Sequence, residues 1–171
     1  MNLSRWLNLA LAGVLAFLVY QRMPGVIDQF RAEGEPMPAF TVSLLDGPVY
    51  DSVADKGSRA IVFWATWCGP CGVELGRIQR GIESGEISPE SVIAISSVED
   101  AALLRSEAAN RHYTFRIGVD IDGQVARLFG ISATPTVVLR SRDNRMVWMT
   151  SGISPTLIWR MARFFQSENP K

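Results

Sequence analysis

Trp67-Cys68-Gly69-Pro70-Cys71 holds the only two cysteines of this 171-residue chain. The motif follows an apolar run, Ile61-Val62-Phe63-Trp64-Ala65, and opens a segment able to form a helix. Residues three apart share a helix face, so the two sulfurs can meet across one turn. The first would sit at the helix N-terminus, where unpaired N–H groups and the dipole favour an anion. A thiol placed there ionises more readily. Cys68 therefore reads as the attacking nucleophile and Cys71 as the thiol that resolves the mixed disulfide. Pro70 suits a first helical turn, where its missing N–H costs nothing. Gly69 leaves the approach to Cys68 open, and Trp67 reads as a partly exposed wall of the site.

Three other readings of the pair fit less well. Tetrahedral zinc needs about four ligands, and the chain offers no third cysteine and one histidine, His112. A peroxidase needs a threonine and a proline upstream of one reactive cysteine. Thr66 stands two residues before Cys68, and no proline lies close upstream. An inert pair leaves the motif unexplained. The chemistry calls for no metal and no cofactor.

Composition narrows the classes. Seventeen basic residues balance seventeen acidic ones, which argues against a nucleic-acid partner. Hydrophobic residues make up 47% and charged residues 20% of the chain, ordinary for one globular domain. Arg5 and Arg22 bracket an uncharged apolar stretch, Trp6 to Gln21. Residues 1–22 read as an uncleaved signal-anchor or short transmembrane segment, marginal in length for a span and lacking a convincing small-x-small cleavage site; a cleaved signal peptide and a buried core helix are the alternatives. Residues 23–37, with Pro24, Gly25, Gly34 and Pro36, read as a linker. Residues 38–168 form the domain.

Within that domain Phe40 to Leu45 reads as an edge strand and Asp46-Gly47 as a turn. Ala60 to Ala65 and Ser91 to Ser96 are apolar runs expected of strands covered on both faces. Helices are expected from Cys68 to Ser84, from Glu99 to His112, and from Asp122-Gly123 to about Gly130. Phe115 to Val119 is a short strand. Thr136 to Arg140 and Met146 to Thr150 make a hairpin across Ser141 to Arg145. Thr156 to Gln166 closes the chain as an amphipathic helix, capped by Ser154 with Pro155 at its first position. The order gives an α/β three-layer domain. His112 reads as a helix-end residue, Asp120 and Asp122 as a turn and helix cap, and Trp64, Trp148, Trp159, Phe164 and Phe165 as core or helix packing.

Phe63-Trp64-Ala65-Thr66-Trp67-Cys68-Gly69-Pro70-Cys71 resembles the active-site strand and turn of thioredoxin-fold proteins. More narrowly, the chain resembles the membrane-anchored TlpA/ResA/CcmG-type thiol-disulfide oxidoreductases. The likeness runs over residues 34–166, through Pro38-Ala39-Phe40, Leu45-Asp46-Gly47, Asp120 to Gly130, and Ile131-Ser132-Ala133-Thr134-Pro135-Thr136. It implies a thioredoxin-like fold with a central mixed sheet, helices on both faces, an N-terminal strand extension and a central insertion over Glu99 to Val119.

It also implies site residues. Pro135 falls where the fold places a cis-proline beside the redox pair, and Thr134 would offer its backbone to an extended substrate segment. Glu74 completes a Cys-x-x-Cys-x-x-Glu pattern and would tune the thiols or relay a proton; the alternative is an exposed helical Glu paired with Arg77. Three departures stand out. Val62 occupies the strand position where thioredoxin buries an acid. Gly76 stands where the family often has a helix-bending proline. Thr134-Pro135-Thr136 differs from the Ala-Pro-Glu type of cytochrome-maturation members.

The expected function is reduction of disulfides in exported proteins, by a monomer anchored in the inner membrane with its domain in the periplasm. The substrate is an exported protein with a disulfide, with apocytochrome c, a copper-site protein and others all open, and a membrane electron-relay protein is the implied reductant. The alternatives are an oxidase or isomerase, or a tethered binding module with a regulatory disulfide.

Overall fold

The computed structural model describes residues 11–14, 33–97 and 99–168. The predicted anchor lies outside the described residues apart from 11–14, which are helical. Among the described residues no helix is long and apolar enough to cross a membrane.

Seven strands form one mixed sheet: β1 (Thr41–Leu44), β2 (Tyr50–Asp51), β3 (Arg59–Trp64), β4 (Val92–Ser97), β5 (Arg116–Asp120), β6 (Thr136–Arg140) and β7 (Met146–Ser151). Their order is β2-β1-β5-β4-β3-β6-β7. The central pairs β3/β4 and β4/β5 are parallel; the outer pairs are antiparallel. Four helices complete the domain: α1 (Gly69–Glu83), α2 (Ala101–Asn110), α3 (Gln124–Leu128) and α4 (Leu157–Glu168).

The central strands read as unbroken apolar runs because both faces are covered. In β3, Ala60, Val62 and Trp64 face a cluster that includes Leu75 and Ile78 of α1, Leu104 of α2, and Leu157, Met161 and Phe164 of α4. Ile61 and Phe63 point the other way, into a cluster with Phe40, Val42, Tyr50 and Val125 of α3. β4 splits in the same manner, Val92 and Ala94 to the first cluster and Ile93 and Ile95 to the second. This period of two builds helix, sheet and helix-plus-loop layers.

The strand expected over Phe40 to Leu45 is β1, Thr41–Leu44, and it is not the edge. The chain turns back through Gly47, which has a φ of 139°, and β2 pairs outside β1 at Thr41 and Val42. Burying Tyr50 against Phe40, ring centroids 5.6 Å apart, fixes that extra strand. Gly118 in β5 permits a close approach: a Cβ there would lie 3.1 Å from the methyls of Val42 and 3.3 Å from Ile95.

α1 stops where glycine allows it. Gly85 takes a φ of 78°, and the N–H groups of Gly85 and Glu86 return to the carbonyls of Ile82 and Gly81, a closure that favours glycine. α4 begins at Leu157, one residue later than expected. The Ser154 hydroxyl meets that of Thr156 at 3.5 Å instead of a backbone N–H, so the predicted side-chain cap is not made; the Ser154 carbonyl accepts from the N–H of Leu157 instead. Residues 34–37, the end of the predicted linker, run along the β6–β7 hairpin: the N–H of Gly34 bonds the Met146 carbonyl and that of Met37 the Asn144 carbonyl.

Candidate active site

β3 ends beneath the active-site turn. The N–H of Cys68 donates to the Ala65 carbonyl at 3.2 Å, closing a tight turn over Thr66 and Trp67. Cys68 is then the N-cap of α1, and Pro70 occupies the first helical positions. Cys68 and Cys71 are joined by a disulfide. The N–H of Cys71 points at the Cys68 sulfur at 3.2 Å. That donor, with the helix dipole behind it, would hold a Cys68 thiolate once the disulfide opens. Cys71 has no exposed surface, whereas Cys68 keeps 7%.

Facing the pair is the Thr134-Pro135 peptide bond, which is cis as the resemblance implied. The Thr134 carbonyl oxygen lies 3.5 Å from the Cys68 sulfur. In the dithiol state the Cys68 S–H could donate to it. Trp67 stands 79% exposed, further out than a partly exposed wall. A cleft of about 250 Å³ runs from Trp67 and Ala65 to Ala126, Ile131, Ala133 and Thr134. Neither this cleft nor the larger one between β1 and α3, about 630 Å³, is lined by a cysteine; the smaller one adjoins the pair through Trp67 and Thr134.

Glu74 lies one turn beyond Cys71 and is completely buried. One carboxylate oxygen accepts the Ser154 N–H at 2.8 Å. The other accepts Arg77 Nη1 at 2.9 Å. Arg77 also donates to the carbonyls of Ser154 and Pro155. The predicted Arg77 pair is therefore present, but it is not an exposed one: it clamps the β7–α4 loop to the active-site helix. Val62 is buried in the same cluster as Cys71 and Leu75, so the strand position noted in the sequence carries no acid.

A second buried carboxylate was not singled out by sequence. Glu99, between β4 and α2, accepts the Thr66 N–H at 3.0 Å and the hydroxyls of Thr66 and Ser96. The adjacent Asp100 takes the helix-capping role, accepting the Leu103 N–H at 2.8 Å. The pair Glu99-Asp100 reads locally as one acidic helix start; only the contact with Thr66, 33 residues earlier, separates their roles.

The remaining candidates fall into place. Asp120 accepts the N–H groups of Val125 and Ala126 and the Ser97 hydroxyl, and Asp122 accepts the Gln124 N–H. Asp120 caps the helix and Asp122 holds the turn before it, as expected. His112 ends α2 with a φ of 55°. Trp64, Phe164 and Phe165 are buried, and Trp148 is half-buried with the Arg160 guanidinium 5.2 Å from its ring. Trp159 corrects its prediction: it is exposed, with the Arg163 guanidinium 5.0 Å from its ring. Among the described residues no cluster of His, Cys, Asp or Glu could hold a metal ion.

The sequence pattern of the Redoxin family matches residues 32–158. The thiol-disulfide oxidoreductase ResA of Bacillus cereus (strain ATCC 10987) is 23% identical over 145 residues, covering 84% of this chain and 83% of that protein. The thiol:disulfide interchange protein DsbE of Pseudomonas fluorescens biotype C is 26% identical over 167 residues, covering 92% and 91%. Among solved structures, a thioredoxin-family thiol:disulfide interchange protein from Chlorobium tepidum superposes with a TM-score of 0.65 at 17% identity, covering 80% of this chain and 97% of that one. A thio-disulfide isomerase from Thermus thermophilus gives 0.66 at 21% identity, covering 80% and 98%. The fold is thioredoxin-like.

Proposed function

The chain belongs to the Redoxin family, and from that premise we propose that it is a thiol-disulfide oxidoreductase that reduces disulfides in exported proteins. The observation that carries this reading is the Cys68–Cys71 disulfide at the N-terminus of α1, with the Thr134 carbonyl 3.5 Å from the outer sulfur.

The reduced pair acts in two displacements. The Cys68 thiolate attacks one sulfur of a substrate disulfide; that S–S bond breaks and the other substrate sulfur leaves as a thiolate. Cys71 then attacks the Cys68 sulfur, re-forming the Cys68–Cys71 bond and releasing the second substrate sulfur. The substrate gains two electrons and two protons, and the pair loses them. Because Cys71 is fully buried behind Cys68, the external partner engages Cys68 and the internal one resolves. Thr134 and exposed Trp67 line the cleft that receives the substrate chain, the cis peptide bond to Pro135 sets the Thr134 carbonyl against Cys68, and Pro70 sets the first turn. Glu74, fixed by Ser154 and Arg77, is the carboxylate that tunes the resolving thiol.

The residues 1–22 tether, the periplasmic side and a membrane dithiol relay as reductant complete the reading. The apolar stretch Trp6 to Gln21, between Arg5 and Arg22, supports the tether; the periplasmic side and the relay are what the family resemblance implies. Apocytochrome c, a copper-site protein and other exported disulfide-containing proteins are the substrates open to it, and Thr134-Pro135-Thr136, unlike the Ala-Pro-Glu of cytochrome-maturation members, argues against the first.

Insulin reduction by the full chain tests the activity. Cys68→Ser should lower the rate by at least about a hundredfold, since no other cysteine besides Cys71 exists to attack. Full activity in that variant would overturn the enzyme reading. Thiol trapping in cells tests direction. A pair found reduced, and oxidised when its membrane donor is lost, supports a reductase; a pair always oxidised contradicts it.

A further inference from the structure

Glu99 is a buried carboxylate that the mechanism above leaves unused. It is 7% exposed. Its partners among the described residues are the Thr66 N–H, the Thr66 hydroxyl and the Ser96 hydroxyl, and none of them is cationic. A buried charge without a counter-ion is costly, and its helix does not need it, because Asp100 supplies the cap. The carboxylate instead grips the middle of the Ala65–Cys68 turn. Thr66 is two residues from Cys68, and consecutive Cα atoms are about 3.8 Å apart. The carboxylate therefore sits against the same turn that carries the attacking sulfur. On the other side, Val62 leaves the strand position behind Cys71 without an acid.

We propose that Glu99 is a positioning residue of the redox site, which supplies from the β4–α2 junction the fixed negative charge that the β3 strand lacks. It holds the turn that presents Cys68 and disfavours the Cys68 thiolate. A thiolate that is less stabilised means a reduced form that is less stabilised, and so a more strongly reducing couple. The converse holds where the reduced form is stabilised and the protein is oxidising. The inference rests on the dithiol reading of Cys68 and Cys71.

The test is equilibration of the full chain with reduced and oxidised glutathione at constant pH 7. Glu99→Gln keeps the shape and removes the charge. Its equilibrium constant should move about three- to tenfold toward the dithiol, the upper figure being about 30 mV. A purely structural role would lower the melting temperature and leave that constant within about twofold of the unaltered protein, and such a result overturns the inference. Thr66→Val removes one donor that neutralises the carboxylate but leaves the charge. It should shift the constant in the opposite direction, toward the disulfide. If Glu99→Gln does not fold, Thr66→Val decides, and an unmoved constant there overturns the inference. Failure of the unaltered protein to exchange with glutathione at all would instead sink the dithiol reading itself.

Discussion

Cys68 and Cys71 occupy one helical turn yet meet different surroundings, and the difference sets their order of action. Cys68 caps the helix, touches the Thr134 carbonyl and reaches solvent; Cys71 packs among Val62, Leu75 and Trp64. Glu74 lies one turn further along the same helix. Its two oxygens saturate the Ser154 N–H and Arg77. Glu74→Ala would leave a buried N–H without a partner and a half-buried guanidinium short of its anion. Each buried group stranded in this way costs about 1–3 kcal/mol, so chemical denaturation should show a loss of about 2–3 kcal/mol, with an unchanged value denying the clamp. At this scale the sequence was readable where chemistry is local: the cysteine spacing, Pro70, and the Asp120 cap. Glu99 and Glu74 were not readable in full. Their burial depends on Thr66 and Ser154, which lie 33 and 80 residues away.

Helices and strands carry the site by their ends. β3 delivers the turn, α1 its helix N-terminus, and β6 begins just after the cis-proline. The apolar runs of β3 and β4 were legible because two-sided burial removes polar residues from the pattern. The outermost β2 was not, since two residues, Tyr50 and Asp51, carry no periodicity. Its placement follows from the packing of Val42 and Tyr50 over β5. Gly118 makes that packing fit. Gly118→Val should overpack against Val42 and Ile95 and destabilise by about 1–3 kcal/mol. Thermal melts would check this, and an unaltered melting temperature would mean the β1–β5 contact can give way.

Across the whole molecule, the end of the sheet away from the disulfide is held by buried charge. Arg140, 1% exposed, donates to the carbonyls of Gly57, Ser52 and Asp55 and to the Asn144 side chain. In sequence it looks like the polar end of a strand before a turn; its acceptors 83 to 88 residues away could not be foreseen. Asp55 sits beside it. Burial pushes the Asp55 carboxyl up, but the Gly57 N–H, Arg59 and Arg140 outweigh burial and hold it below its usual value. A depressed folded value means stability present above the unfolded value of about 3.9 and lost as pH falls through the folded one. Stability should therefore drop from about pH 4 downward, and Asp55→Asn should flatten that drop. Equal acid profiles for the two proteins would show that Asp55 does not contribute.

The central claim is that Cys68 meets the partner and Cys71 resolves. Mass spectrometry of single-cysteine variants, reduced and then mixed with a disulfide-containing protein, tests it directly. Cys71→Ser should accumulate a covalent mixed disulfide through Cys68, and Cys68→Ser should accumulate almost none, because its remaining sulfur is buried. Equal trapping through Cys71, or trapping in Cys68→Ser alone, would contradict the account.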